Sequence, residues 1–245
     1  MKHPPKEEFV KTLTALVVAI IMVLPVAANA QILVSMDLFN KYVVDPGFIA
    51  HDDQVVQADI FIVLPKGFSI DFWGSSGTDF KSNFGREIDF TMGWSGKFVG
   101  CGLSFFDLHN VFSHKTADIV QPYVEVRSTF SNGNHSFNPF IKADYNLATR
   151  DQSKNSASDV MVGIKHGWQI NQTFSVSQKF RLLYNDGLFG SKSGFITRWD
   201  IGMSARVTRQ VNLNLSVRNS IPSGSLTDRQ KATAVGVGIS SSFPW

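Results

Sequence analysis

The sequence predicts an all-β transmembrane barrel of about 12 antiparallel, up-and-down strands, and three observations predict it. From Gln31 onward the chain reads as short segments in which apolar and polar residues alternate with period two. The connectors between segments alternate without a break between very short and long, as they must when one rim carries tight turns and the other carries loops. Large aromatic residues band at the segment ends, whereas a soluble sandwich would place them mid-strand in its core.

In chain order the segments fall at 31–43, 54–64, 68–74, 85–94, 98–106, 119–130, 135–147, 159–170, 173–185, 195–207, 211–219 and 231–245. Pro65-Lys66-Gly67, Ser95-Gly96-Lys97, Ser131-Asn132-Gly133-Asn134, Asn171-Gln172 and Thr208-Arg209-Gln210 supply the tight connectors, each rich in residues that accept turn dihedrals. Loops of about ten residues lie between them, near 44–53, 75–84, 107–118, 148–158, 186–194 and 220–230. With the N-terminus in the periplasm, every tight turn falls on the periplasmic side and every loop outside. Phe68, Trp94, Phe98, Phe130, Phe137, Trp168 and Phe174 then sit at the inner rim, and Phe72, Phe105, Tyr145, Tyr184 and Phe195 nearer the outer one. Four residues resist the pattern. Pro122 and Pro139 each cost a ladder hydrogen bond within a strand and should mark a bulge or a rim. Gln178 and His166 carry outward parity, which is awkward in lipid.

Both ends of the chain fit an exported barrel. Residues 1–30 read as a signal peptide: a basic start at Lys2, Lys6 and Lys11, an apolar stretch from Thr12 to Val26, and the small-x-small site Ala28-Asn29-Ala30. Cleavage after Ala30 leaves residues 31–245 as a single barrel domain. The apolar stretch is nearly long enough to span a bilayer, so an uncleaved anchor is the alternative. A lipoprotein is disfavoured, because Gln31 follows the cut and the single cysteine is Cys101. At the C-terminus, Val235, Val237, Ile239, Ser241, Phe243 and Trp245 share one parity, while Gly236, Gly238, Ser240 and Ser242 share the other. A last strand ending in an aromatic resembles the signal read by barrel-assembly machinery, with Phe243 and Trp245 as its residues. Outer-membrane lipid and that machinery are the expected partners, in the bacterial outer membrane. Without the leader the chain carries 20 basic and 18 acidic side chains, a balance that argues against nucleic acid.

Chemistry can live on the inward faces, and there the charges segregate. The first five segments point Asp37, Asp59, Asp71, Glu87 and Asp89 inward, with Lys41 as their one base. Segments eight to eleven point Lys165, Lys179, Arg181, Arg198, Arg206 and Arg218 inward, with Asp200 as their one acid. Segments six and seven are mixed, as Glu125, Arg127, Lys142 and Asp144. Twelve strands about 4.8 Å apart and tilted about 40° enclose a backbone diameter of roughly 24 Å. In such a barrel an acidic wall (Asp59, Asp71, Glu87, Asp89) faces a basic wall (Lys165, Lys179, Arg181, Arg198) across a narrow lumen. Opposed charge rows would order water and favour small hydrophilic solutes. The same residues could instead pair and plug the barrel. The inward glycines Gly100, Gly102, Gly163, Gly202, Gly236 and Gly238 leave space and favour the open alternative.

Other groupings carry less. Ser131-Asn132-Gly133-Asn134-His135-Ser136 collects a Ser, a His and an Asn, but as turn formers. Gly190-Ser191-Lys192-Ser193-Gly194 puts Lys where a nucleophile elbow needs Ser, so no enzyme is expected. His51, Asp52, Asp53, Asp107, His109, His114 and Asp118 could gather at the outer mouth, yet nothing in their spacing specifies a metal. No cofactor is implied. Cys101, with outward parity, reads as a small lipid-facing hydrophobe.

One stretch carries a family likeness. Val34-Ser35, Tyr42, Gln57, Gly67-Phe68, Trp73-Gly74-Ser75, Glu87-Ile88-Asp89 and Gly93-Trp94-Ser95-Gly96 make residues 33–96 resemble the TorF-type porin family of outer-membrane β-barrel proteins. Asp45-Pro46-Gly47 stands where that family often has Arg-Gly, so a loop role for that Arg does not carry over. The resemblance implies a channel and names no solute; beyond about residue 100 it is architectural.

Overall fold

The computed structural model describes residues 30–44, 49–78, 87–108, 118–149, 156–187, 192–223, 226 and 231–244. The leader lies outside them, as do His109, His114 and Trp245. Twelve long strands build the barrel: β1 (Gln31–Phe39), β2 (Val55–Val63), β3 (Phe68–Gly77), β4 (Glu87–Ser95), β5 (Val99–Leu108), β6 (Ile119–Arg127), β7 (His135–Ala148), β8 (Ala157–Gln169), β9 (Phe174–Asn185), β10 (Gly194–Arg206), β11 (Val211–Ser223) and β12 (Ala232–Pro244). Each pairs antiparallel with its chain neighbours. β12 pairs with β1 from Gln31↔Pro244 to Phe39↔Gly236, so the sheet closes on itself and has no open edge.

The tight turns work as their residues predict. Lys66 and Gly67 both take positive φ (62° and 86°) in the Pro65–Gly67 turn. A Cβ on Gly67 would run into the Ser95 carbonyl, so glycine is required there. Asn171 Oδ1 accepts from the backbone N–H groups of Thr173 (2.8 Å) and Phe174 (2.9 Å). Thr208 Oγ1 accepts likewise from Gln210 (3.2 Å) and Val211 (3.1 Å).

Two strands are shorter than the sequence suggested. β1 stops at Phe39 because the chain turns at Asn40-Lys41 into a small hairpin, Tyr42–Val43 against Ile49–His51. β6 stops at Arg127, and Phe130–Asn132 forms a separate short strand against His135–Phe137. The two prolines sit at the interruptions of the β6–β7 ladder. Its register runs from Phe140↔Arg127 to Asp144↔Tyr123 and resumes at Leu147↔Val120, so Pro122 occupies the gap. Pro139 lies just past the Phe140↔Arg127 end, where its carbonyl accepts from Ser128 N–H (3.1 Å).

The burial pattern is inside-out relative to a water-soluble barrel. Met92 and Val237 on the outward parity are each 55% exposed, whereas the inward Arg181 is 4% exposed. The outward surface therefore suits hydrocarbon. Phe72 meets Phe90 (5.0 Å) in a tilted pair at mid-strand, and Tyr184 meets Phe195 (5.2 Å) in another at the loop rim, as an aromatic girdle requires. Phe243 faces outward and Cys101 is exposed. The outward His166 is accommodated at the opposite rim. Its Nε2 lies 3.0 Å from His135 Nδ1, and its ring stacks on Phe137 at 4.7 Å, while His135 in turn stacks on Trp168 at 5.5 Å. That pairing also engages His135 with a second imidazole, away from Ser131 and Ser136.

Candidate functional site in the barrel lumen

The inward faces of the described residues divide into a polar waist and three apolar patches nearer the loop rim, the smallest being Ile119 and Ala157 with Phe106. Asp59 on β2, Asp71 on β3 and Glu87 and Asp89 on β4 lie on three consecutive strands. Asp59 and Asp71 come within hydrogen-bond reach of each other, as do Glu87 and Asp89. Among the described residues, one buried oxygen each of Asp59, Asp71 and Asp89 has no hydrogen-bond partner. The basic wall is as continuous: Lys165 on β8 pairs in register with Lys179 on β9, and Arg181 on β9 with Arg198 on β10. Phe140 rises between the two lysines, whose ammonium groups sit 5.2 Å (Lys165) and 5.8 Å (Lys179) from its ring centre. Asp200 holds the arginine pair together, through an ion pair to Arg181 and a second to Arg198 at 3.9 Å.

The two walls stand at the same depth. Register partners follow the hydrogen bonds, which climb as the strands tilt. One circuit advances about sixteen residues, so crossing half the barrel requires a correction of about eight. With that correction Asp71 stands across from Lys179, Asp89 from Arg198, and Asp59 from Gly163, the register partner of Arg181. The same register gives a tilt near 45° and a diameter of about 24 Å.

Local neutralisation occurs at Asp200 within the basic wall and also on the flanks. Glu125 pairs with Arg127 at 3.1 Å and Lys142 with Asp144 at 3.0 Å, as their spacing suggested. Lys41 is not a lumen base: it lies beyond β1 and pairs with Asp52 at 2.6 Å across the small hairpin. Arg218 lies over the Phe39 ring (4.1 Å) and donates to Gln57 Oε1 (3.2 Å), reaching from β11 past β12 and β1 to β2. Above the waist a carboxamide network ties β6 to β9. Asp159 accepts from Asn185 (2.7 Å) and Asn146 (2.9 Å), and Gln121 donates to Asn146 (2.8 Å).

The inward glycines do not leave open space, contrary to the sequence expectation. Five of the six, all but Gly100, are the floor for a neighbour's side chain. A Cβ on Gly102 would meet the Tyr123 ring at 2.6 Å, one on Gly163 would meet Phe140 at 2.7 Å, and one on Gly236 would enter the Phe39 ring. The sequence reading also missed the inward hydrophobes. Phe140, Met161, Leu183 and Ile196 form a buried patch capped by Leu226. Phe39, Val55, Ala232 and Ala234 form a second, joined by Tyr42 and Val43 of the small hairpin. Tyr42 and Val43 therefore turn into the lumen. Tyr42 donates from its hydroxyl to Glu87 Oε2 at 2.5 Å and packs its ring 5.6 Å from Trp73. Alternation of Phe39, Val55, Met161, Leu183 and Ile196 with the outward hydrophobes was the available signal, and it was masked because both faces are apolar there.

No family model and no curated protein matches the chain. Solved structures do. The NanC porin superposes with a TM-score of 0.58 at 10% identity, over 86% of this chain and 98% of that one. The KdgM porin, solved in complex with disordered oligogalacturonate, superposes with a TM-score of 0.55 at 11% identity, over 87% and 99%. At such identities the likeness is one of fold: the chain has the architecture of these outer-membrane barrels.

Proposed function

We propose that this protein is an outer-membrane channel for passive diffusion of small hydrophilic solutes, exported with its leader cleaved after Ala30. The observation that carries the reading is the pair of opposed charge rows at one depth: Asp59, Asp71 and Asp89 on one side, and Lys179, Arg181 and Arg198 on the other. A barrel stabilised only by internal pairing has no need to separate its charges by half a circumference. Separated, the rows impose a field across the lumen that orients water and polar solutes and disfavours apolar ones. Lys165 extends the basic row and Glu87 the acidic one. The fold shared with the NanC and KdgM porins, and the likeness of residues 33–96 to TorF-type porins, support the same reading.

Planar-bilayer recording of the refolded mature chain tests this. Discrete current steps are expected, with ion selectivity that changes when Asp59 and Asp89 are neutralised together. Silence from a barrel that shows heat-modifiable migration would refute it. A second reading, a non-conducting structural barrel, is favoured by one specific feature, the Tyr42 hairpin inside the lumen. Silence in the wild type together with current after Tyr42→Ala would assign the closure to that hairpin.

A further inference from the structure

Resting on that channel reading, we infer that the waist selects zwitterionic solutes, small molecules carrying one ammonium and one carboxylate, over neutral solutes of the same size. The argument begins with balance. The acidic side presents Asp59, Asp71 and Asp89. The basic side presents Lys165, Lys179, Arg181 and Arg198, and Asp200 offsets one of these charges from within the row. The cross-section is therefore close to neutral in sum, and neither cations nor anions gain much from it. It is far from neutral in distribution, since each sign is gathered on one side.

A solute with a single charge is drawn to one wall and repelled from the other, and its counter-ion suffers the reverse. A molecule with both charges can turn its ammonium to β2–β4 and its carboxylate to β8–β10 and satisfy both at once. The groups suit those ends. Asp59, Asp71 and Asp89 are each part-exposed on the inward face, so their carboxylates are within reach of a solute ammonium. Opposite, Lys165 is exposed and Lys179 part-exposed, so their ammonium groups meet the solute carboxylate, while the buried Arg181 and Arg198, side by side in register, add positive potential from within the wall. Phe140 between Lys165 and Lys179 holds the ammonium groups in the basic row. Within an effective dielectric between those of protein and water, two such contacts, less the water they displace, are worth about a fivefold preference.

The test is swelling of proteoliposomes containing the refolded mature chain, in isosmotic glycylglycine or isosmotic ribose, two hydrophilic solutes of similar size. In the wild type, glycylglycine should enter about five times faster than ribose. Neutralising the acidic wall (Asp59→Asn, Asp71→Asn and Asp89→Asn) should bring the ratio to about one, and so should Lys179→Gln with Arg198→Gln on the other wall. Ribose entry with a wild-type ratio near one overturns the inference while leaving the channel intact. So does a ratio that neither set of substitutions changes. Exclusion of both solutes, with no ionic current, overturns the channel reading itself. The wild-type ratio needs no variant, so a substituted barrel that fails to refold leaves the test decisive.

Discussion

Replacing Asp200 with Asn removes a carboxylate that pairs with both Arg181 and Arg198, and the structure sets the size of the effect. The two arginines are register partners on adjacent strands and are almost fully buried, at 4% and 3% exposed. At an effective dielectric of about 20, a unit-charge pair near 4 Å is worth about 4 kcal/mol, and Asp200 makes two such pairs. Most of that gross attraction is offset by the desolvation of the groups, and the Asp200 side chain is itself 23% exposed, so lumen water screens part of the rest. What the substitution adds is repulsion between two like charges held side by side. The net loss should be about 2–3 kcal/mol of barrel stability. Urea unfolding of the refolded protein in lipid vesicles, followed by tryptophan fluorescence, measures it. Adding Arg198→Gln should recover most of the loss, because the remaining Arg181 no longer faces a like charge. A loss below about 0.5 kcal/mol, or a double variant as unstable as the two single changes summed, would refute the reasoning.

Other consequences can be checked alongside. Tyr42→Phe removes a buried hydrogen bond to a carboxylate and should cost about 1.5–3 kcal/mol in the same unfolding assay, whereas an unchanged midpoint would mean the hairpin is not held there. Gly102→Val drives a side chain into Tyr123 and the Met92 carbonyl and should cost about 1–3 kcal/mol, with Tyr123→Ala in the same chain relieving it. Acidification that protonates Asp59, Asp71 and Asp89 leaves every Lys and Arg charged, so the reversal potential in a salt gradient should move towards chloride selectivity. Deleting Phe243 to Trp245 should reduce the heat-modifiable barrel recovered from outer membranes, and sequencing of the protein that does arrive should begin at Gln31.

The strand order, the two unlike rims and the faces of the charged residues were legible because each rests on a local rule. Period-two alternation fixes which side of the sheet a residue occupies, and turn chemistry at Lys66-Gly67, Asn171 and Thr208 fixes where strands end. From these, strand counting placed Asp59, Asp71 and Asp89 level with the basic row, and the register agrees. Pro122 and Pro139 were recognisable as interruptions, but not placeable, because a proline marks a missing donor without saying which neighbour goes unpaired. The sequence pattern extends the first strand to Val43 and puts 44–53 in an outer loop, whereas Tyr42–Val43 forms a separate hairpin strand with Ile49–His51. Tyr42 and Val43 enter the lumen because Phe39, Val55, Ala232 and Ala234 offer an apolar patch there, and that patch is assembled from three strands far apart in sequence.

Parity reports direction and is silent about reach, and this is why the interior filling escaped. Gly236 and Phe39 are register partners on β12 and β1, each correctly read as inward, one as a void and the other unremarked. Side by side they are one unit: the ring fills the space that a Cβ on the glycine would take, and the Arg218 guanidinium sits 4.1 Å from the ring centre. Tyr123 over Gly102 and Phe140 over Gly163 repeat the arrangement. An aromatic that lies along the wall covers backbone and projects less into the lumen than one standing upright. The glycines therefore widen the barrel indirectly, by letting large side chains recline. Where no glycine lies beneath, as with Leu183 and Ile196, apolar side chains pack against loop residues and narrow the outer half. The charged waist sits below those patches, and there the acidic and basic rows face each other across the lumen, so discrimination between solutes by the arrangement of their charges falls to it.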